Sequence, residues 1–114
     1  MDTITVRAVI TKSCKRGWSC WTYVKYPDWP RETITTDRHE TLSSVLWHLV
    51  LDSIDWKAEL TTVLVKGKPM PRAEIYQRVH KALAAGSLSY KLPAIREYLF
   101  TENVTENVTN EQQI

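Results

Sequence analysis

Glycine is scarce, with three in 114 residues. That leaves no G-x-G-x-x-G dinucleotide turn and no glycine-rich phosphate loop, both of which need bare backbone to approach a phosphate. No G-x-S-x-G nucleophile elbow occurs either. Cysteine stops at Cys14 and Cys20, too few for a disulfide scaffold, and the five residues between them fit neither a C-x-x-C redox pair nor a zinc knuckle. His39, His48 and His80 are scattered without an H-x-x-x-H pair, so no set of four converging zinc ligands is legible. The longest apolar run, Val45 to Leu51, is interrupted by His48 and is far too short to cross a bilayer, so no membrane partner is expected. Met1-Asp2-Thr3-Ile4 lacks a basic stretch followed by an apolar one. The expectation is a cytoplasmic protein with reduced thiols, no metal and no cofactor.

What is present is an ordinary globular composition, 43% hydrophobic and 25% charged. One α/β domain over residues 1–100 is expected, followed by a disordered polar tail over 101–114. Charge divides the same way. All fifteen Lys and Arg fall before the tail, which carries Glu102, Glu106 and Glu111 and no base. The body is mildly basic, enough to permit polyanion contact.

Thr3 to Thr11 alternates, with Ile4, Val6, Ala8 and Ile10 on one face, which predicts a half-buried strand. Lys12 to Gly17 reads as a turn, and the aromatic stretch Trp18 to Tyr26 as a second strand in hairpin with the first. Pro27-Asp28-Trp29-Pro30 predicts another turn, and Glu32 to Thr35 a short third strand. Asp37-Arg38-His39-Glu40 has the D-x-x-E form of a capping box, predicting a helix from there to about Ser53. Its stripe is Leu42, Val45, Leu46, Leu49 and Val50. Trp47, Leu51 and Ile54 form a second apolar face, and Ser44, His48, Asp52 and Asp55 a narrow polar strip. The run Glu59 to Val65 reads as a central strand buried on both faces, parallel to the first through a crossover. Lys66-Gly67-Lys68-Pro69 ends it. Ile75, Val79, Ala82 and Leu83 predict a helix opened by Pro71 and capped at Gly86. Ser87 to Leu92 fits strand or loop, and Pro93 to Phe100 a last helix burying Ile95 and Leu99.

A three-stranded antiparallel meander, a helix, a central parallel strand and C-terminal helices together resemble the ribonuclease H-like fold. Ile10-Thr11-Lys12-Ser13-Cys14 resembles the T-D-G-S-C that ends that family's first strand, and Asp37-Arg38-His39-Glu40 the N-R-x-E that opens its first helix. The likeness covers residues 3–85. It implies a two-magnesium nuclease, in which carboxylates from the first strand, first helix and fourth strand share the metals. Here the first-strand acid is replaced by Thr11 or Lys12, only Glu40 remains on the helix, and Lys66-Gly67-Lys68 stands at the fourth-strand position. The resemblance therefore implies a catalytically degenerate domain and no enzyme.

Five of the eleven aromatic residues lie between residues 18 and 29, among lysines and arginines. Aromatic faces stack on bases while cations follow phosphates, and Trp, Tyr and Arg equally dominate protein interfaces. Alternation turns Trp18, Cys20, Thr22, Val24 and Tyr26 inward and leaves Trp21, Tyr23 and Lys25 for contact. The candidate binding residues are Lys15, Arg16, Trp21, Tyr23, Lys25, Trp29, Arg31 and Trp47, with a second basic cluster at Lys66, Lys68 and Arg72. The function expected first is a binding protein, an accessory or inhibitor acting on nucleic-acid machinery through protein contacts. Direct binding of single-stranded or structured nucleic acid comes second, and a metal-dependent nuclease with rearranged ligands third. A homodimer through the Trp47, Leu51 and Ile54 helix face is a further partner the pattern allows.

Overall fold

The computed structural model describes residues 3–13 and 17–100. The expected tail, Lys15 and Arg16 lie outside the described residues. The chain divides after Pro71 into two compact units.

The first unit is a mixed five-stranded sheet in the order β3-β2-β1-β4-β5, with one helix. Its strands are β1 (Thr5–Lys12), β2 (Trp18–Lys25), β3 (Thr33–His39), β4 (Glu59–Val65) and β5 (Lys68–Pro69), and its helix is α1 (Leu42–Asp55). β1 and β2 pair antiparallel without a break, Val6 opposite Val24, Ala8 opposite Thr22 and Ile10 opposite Cys20. All six are buried, because the period-2 alternation of both strands puts their apolar or small residues on the same side. Leu60 and Val63 of β4 continue that face. α1 packs against it with Val45, Leu46, Leu49 and Val50. The crossover from β3 through α1 brings β4 alongside β1 in parallel, as expected.

Two expectations for this unit need correction. The ladder between β2 and β3 does not stop at Thr35. Asp37 lies opposite Cys20 and His39 opposite Trp18, so the tetrad read as a capping box is mostly strand. Cross-strand pairing with a long β2 overrides the local cap, and Thr41 is the true N-cap, its hydroxyl accepting from the Ser44 amide at 3.1 Å.

Next, β4 is not central, nor buried on both faces. β1 holds the centre, and Thr61 and Thr62 are exposed. The pairing shifts between Val6 and Arg7 and leaves Thr61 without a place in the register, where its hydroxyl donates to the Val6 carbonyl. Lys66-Gly67-Lys68-Pro69 ends β4, as expected, and also begins a further short strand. Lys66 and Gly67 both adopt positive φ, 54° and 79°, the conformation of a two-residue hairpin turn that folds β5 back on β4.

The second unit contains α2 (Arg72–Leu83), a 3-10 turn at Ser89–Lys91, and α3, residues 92–100. Ile75, Val79 and Leu83 of α2 are buried, as are Ile95 and Leu99 of α3, whereas Ala82 is exposed. Gly86 is not a left-handed cap. Its φ is not positive, and its amide donates to the Leu83 carbonyl in a tight turn. The stretch Ser87 to Leu92 resolves as turn and 3-10 helix.

Candidate functional site

Three clusters in the first unit gather the side chains that carry chemistry. The first is the sheet face opposite α1. Trp21, Tyr23 and Lys25 of β2 all turn to that side and are half-buried, as the alternation predicts. Val9 lies opposite Trp21 on β1, and Ile34 lies opposite Tyr23 on β3. Arg7 sits 4.0 Å from the Tyr23 ring centroid and donates two bonds of 3.0 Å to the Glu32 carboxylate. A planar guanidinium thus uses its fork on the acid and its face on the ring. The Arg7 bond holds the Glu32 carboxyl below its ordinary range, and the same bond raises Arg7. Lys25 turns back to donate to the Tyr26 carbonyl at 2.9 Å. Trp29 and Arg31 are exposed in the loop before β3, with Trp29 ring to ring against Tyr26 at 5.8 Å.

The second cluster lies at the sheet end where β1 and β4 finish and β2 begins. Lys12 pairs across the strands with Trp18, and its ammonium lies 5.4 Å from the indole centroid. The Lys66 ammonium lies 5.6 Å from the same ring, held there by the hairpin turn and by the Lys66 amide donating to the Ile10 carbonyl. Neither lysine pairs with a carboxylate among the described residues. The expected basic cluster divides between the two units, with Lys66 and Lys68 in the first and Arg72 in the second. Lys68 is exposed on β5, whereas Arg72 opens α2 and donates to the Leu99 carbonyl within the second unit. Lys12 and Trp18 were absent from the sequence-based binding set, because only the β1–β2 register and the turn after β4 make them neighbours of Lys66.

The third cluster is a small cleft of about 30 Å³ between β2, β3 and α1, lined by Cys20, Thr22, Thr35, Asp37, His39, His48, Asp52 and Trp56 among others. The His39 and His48 rings stand 4.7 Å apart, and Trp47 stacks on His48 at 4.0 Å. His39 Nδ1 and the Ser44 hydroxyl share a 3.1 Å hydrogen bond. Burial, then the charge of His48, lowers the His39 pKa against the opposing pull of Asp37 and Asp52. Burial raises the Asp52 carboxyl. Cys20 shares this cleft, but burial raises its thiol and its Sγ lies 3.5 Å from the Thr22 hydroxyl. It is therefore a protonated core thiol rather than an activated nucleophile. Among the described residues no group of three or more His, Cys, Asp or Glu is placed to hold a metal ion. The polar strip Ser44, His48, Asp52 was legible on the helix wheel. That His39 faces it depends on β3 running through to His39 before α1 turns back.

No helix among the described residues is long and apolar enough to cross a membrane. Comparison with known proteins finds no matching family model, no similar curated protein and no similar solved structure.

Proposed function

We propose that the chain is a non-enzymatic binding protein, an accessory or inhibitor acting on nucleic-acid machinery through protein contacts made by the β2–β3 face. The observation that carries this reading is the Arg7–Glu32 pair stacked on Tyr23. Arg7 is already neutralised there, Lys25 and Arg38 on the same face donate to the Tyr26 carbonyl and the Ser13 hydroxyl, and one side of the tyrosine is already covered. What is left for a partner is Trp21, Ile34, the Arg7–Glu32 pair and the cations Lys25 and Arg38, a mixture of aromatic, apolar and arginine side chains that suits a protein interface. The ribonuclease H-like reading agrees with the strand order β3-β2-β1-β4 and with β4 parallel to β1. At the ends of β1 and β4, where that reading would require carboxylates, Lys12 and Lys66 flank Trp18. Glu40, the remaining acid, is exposed in the bend before α1.

A second reading, direct binding of single-stranded nucleic acid, is favoured by that Lys12–Trp18–Lys66 arrangement, since a base stacks on an indole while ammoniums take the flanking phosphates. The experiment is affinity capture from nuclease-treated lysate with the wild-type chain and with Trp21→Ala as baits. A protein retained by the first and lost by the second supports the protein-contact reading. Retention that disappears with nuclease treatment supports the nucleic-acid reading instead.

A further inference from the structure

The two edges of the sheet are built differently. β5 closes one edge with two residues, the second of them Pro69, which has no amide to offer a neighbour. β3 forms the other edge and has none of these protections. It runs seven residues, Thr33-Ile34-Thr35-Thr36-Asp37-Arg38-His39, without proline, lysine or bulge, in unbroken register with β2. Every residue but His39 is exposed. Four β-branched side chains in succession favour an extended strand. The exposed large hydrophobic side chains among the described residues of this unit also surround β3. Ile34 (56% exposed) lies on it, Tyr26 and Trp29 (38% and 59%) sit in the loop leading to it, and Trp56 (43%) lines the cleft beside Thr35 and Asp37. An open edge flanked by apolar groups on both faces is a template for strand addition.

We infer that β3 pairs antiparallel with β3 of a second copy of this chain, about a two-fold axis through Thr36. Thr36 is the middle residue of the strand, so this register uses all seven positions. It sets Thr36 opposite Thr36, Thr35 opposite Asp37 and Ile34 opposite Arg38, with no like charges facing each other. Threonine hydroxyls meet the Asp37 carboxylates, and the Arg38 stem covers Ile34. Arg38 then lies diagonal to Glu32 of the second copy, on the face where Glu32 already meets Arg7, so opposite charges approach twice across the axis. Centring one residue pair further on would set Asp37 against Asp37, which disfavours that alternative. A second copy also satisfies the edge better than a foreign strand. Two-fold pairing makes a ten-stranded sheet whose two ends are both the short β5 with its proline, so assembly closes at two chains.

The inference stands apart from the proposed function, because a chain that captures no other protein still pairs with itself. The surface also differs from the Trp47, Leu51 and Ile54 face suggested by the helix pattern, whose side chains are half-buried.

The test is the solution mass of the full chain by light scattering, together with site-directed cross-linking. The wild type is expected at twice the 13.2 kDa chain mass. Thr36→Lys, which sets like charges on the axis at an exposed position, should lose the dimer while keeping the circular-dichroism spectrum of the folded chain, and Trp47→Ala should keep the dimer. In a Cys14→Ser background, Thr36→Cys should form an interchain disulfide under mild oxidation, because directly opposed residues place their Cβ atoms about 4.5–5.5 Å apart. A monomeric wild type, a dimer unaffected by Thr36→Lys, a dimer abolished by Trp47→Ala, or a dimer in which Thr36→Cys fails to cross-link would each overturn the inference.

Discussion

The imidazoles of His39 and His48 stand 4.7 Å apart, one at the end of β3 and the other in the second turn of α1. Their closeness makes stability depend on pH in a definite direction. Burial and the His48 charge hold the His39 pKa below the usual 6.5. As pH falls, the unfolded chain therefore takes up this proton before the folded one does. Stability is fully present above about 6.5, declines as pH drops from there toward the folded value, and then levels off. Asp52 acts oppositely in a lower window. Its carboxyl is raised above 3.8, so acidification through that window favours the folded state. Urea midpoints followed against pH should show the first decline, and His39→Gln should remove it. His48→Gln should move the His39 titration, read by NMR, upward, because the His48 charge is one of the two causes that lower it. A wild-type His39 midpoint at or above 6.5 would contradict this.

Gly17 lies where a side chain has no space. Its φ is +83°, and a Cβ there would sit 2.5 Å from the His39 carbonyl oxygen. Gly17→Ala should cost about 3 kcal/mol, combining left-handed strain with displacement of the β3 backbone. Gly67 has a similar φ of +79° but open space around it. Gly67→Ala should cost about 1–2 kcal/mol, the strain alone. Equal urea midpoints for the two variants would show that the close approach to His39 contributes nothing.

The start of α1 gives a similar contrast. Thr41→Ala removes the hydroxyl that accepts from the Ser44 amide and should cost about 1 kcal/mol. Glu40→Ala, at an exposed position outside the helix, should stay within about 0.5 kcal/mol of wild type. If chemical denaturation ranks them the other way, Glu40 acts in capping after all.

Cys20 should resist thiol reagents. It is buried, and its thiol is raised by desolvation. In a Cys14→Ser background, labelling of Cys20 at neutral pH should proceed at the rate of opening or unfolding and accelerate with urea. Rapid labelling of the folded protein would instead mark a reactive thiol beside His39.

What could be read from the residue string followed from local periodicity. The alternation of Val6, Ala8 and Ile10 identified the core face of β1. The same period, applied to β2, turned Trp21, Tyr23 and Lys25 away from it, as the β1–β2 register bears out. The stripe of α1 was legible because a 3.6-residue repeat needs no tertiary information. Where a local pattern competed with a long-range one, the local reading failed. Asp37 to Glu40 has the form of a helix cap, yet Asp37 and His39 gain more from pairing with Cys20 and Trp18 across the sheet. The functional clusters were least visible. Arg7 reaches Glu32 across 25 positions. Lys12, Trp18 and Lys66 come from two strands and the turn after a third, and His39 meets His48 only because the chain reverses between them. None of these meetings leaves a repeat in the sequence.

The claim that matters most is that the β2–β3 face contacts protein through its aromatic and apolar surface beside the Arg7–Glu32 pair. Its most direct test is the salt dependence of affinity for the species captured by the wild-type chain, with Trp21→Ala alongside. Protein contact predicts a plot of log K against log salt with a slope near zero, and weakened binding for Trp21→Ala at every salt concentration. A slope of about −0.7 for each phosphate contacted, with affinity indifferent to Trp21→Ala, would contradict it and assign the binding to nucleic acid.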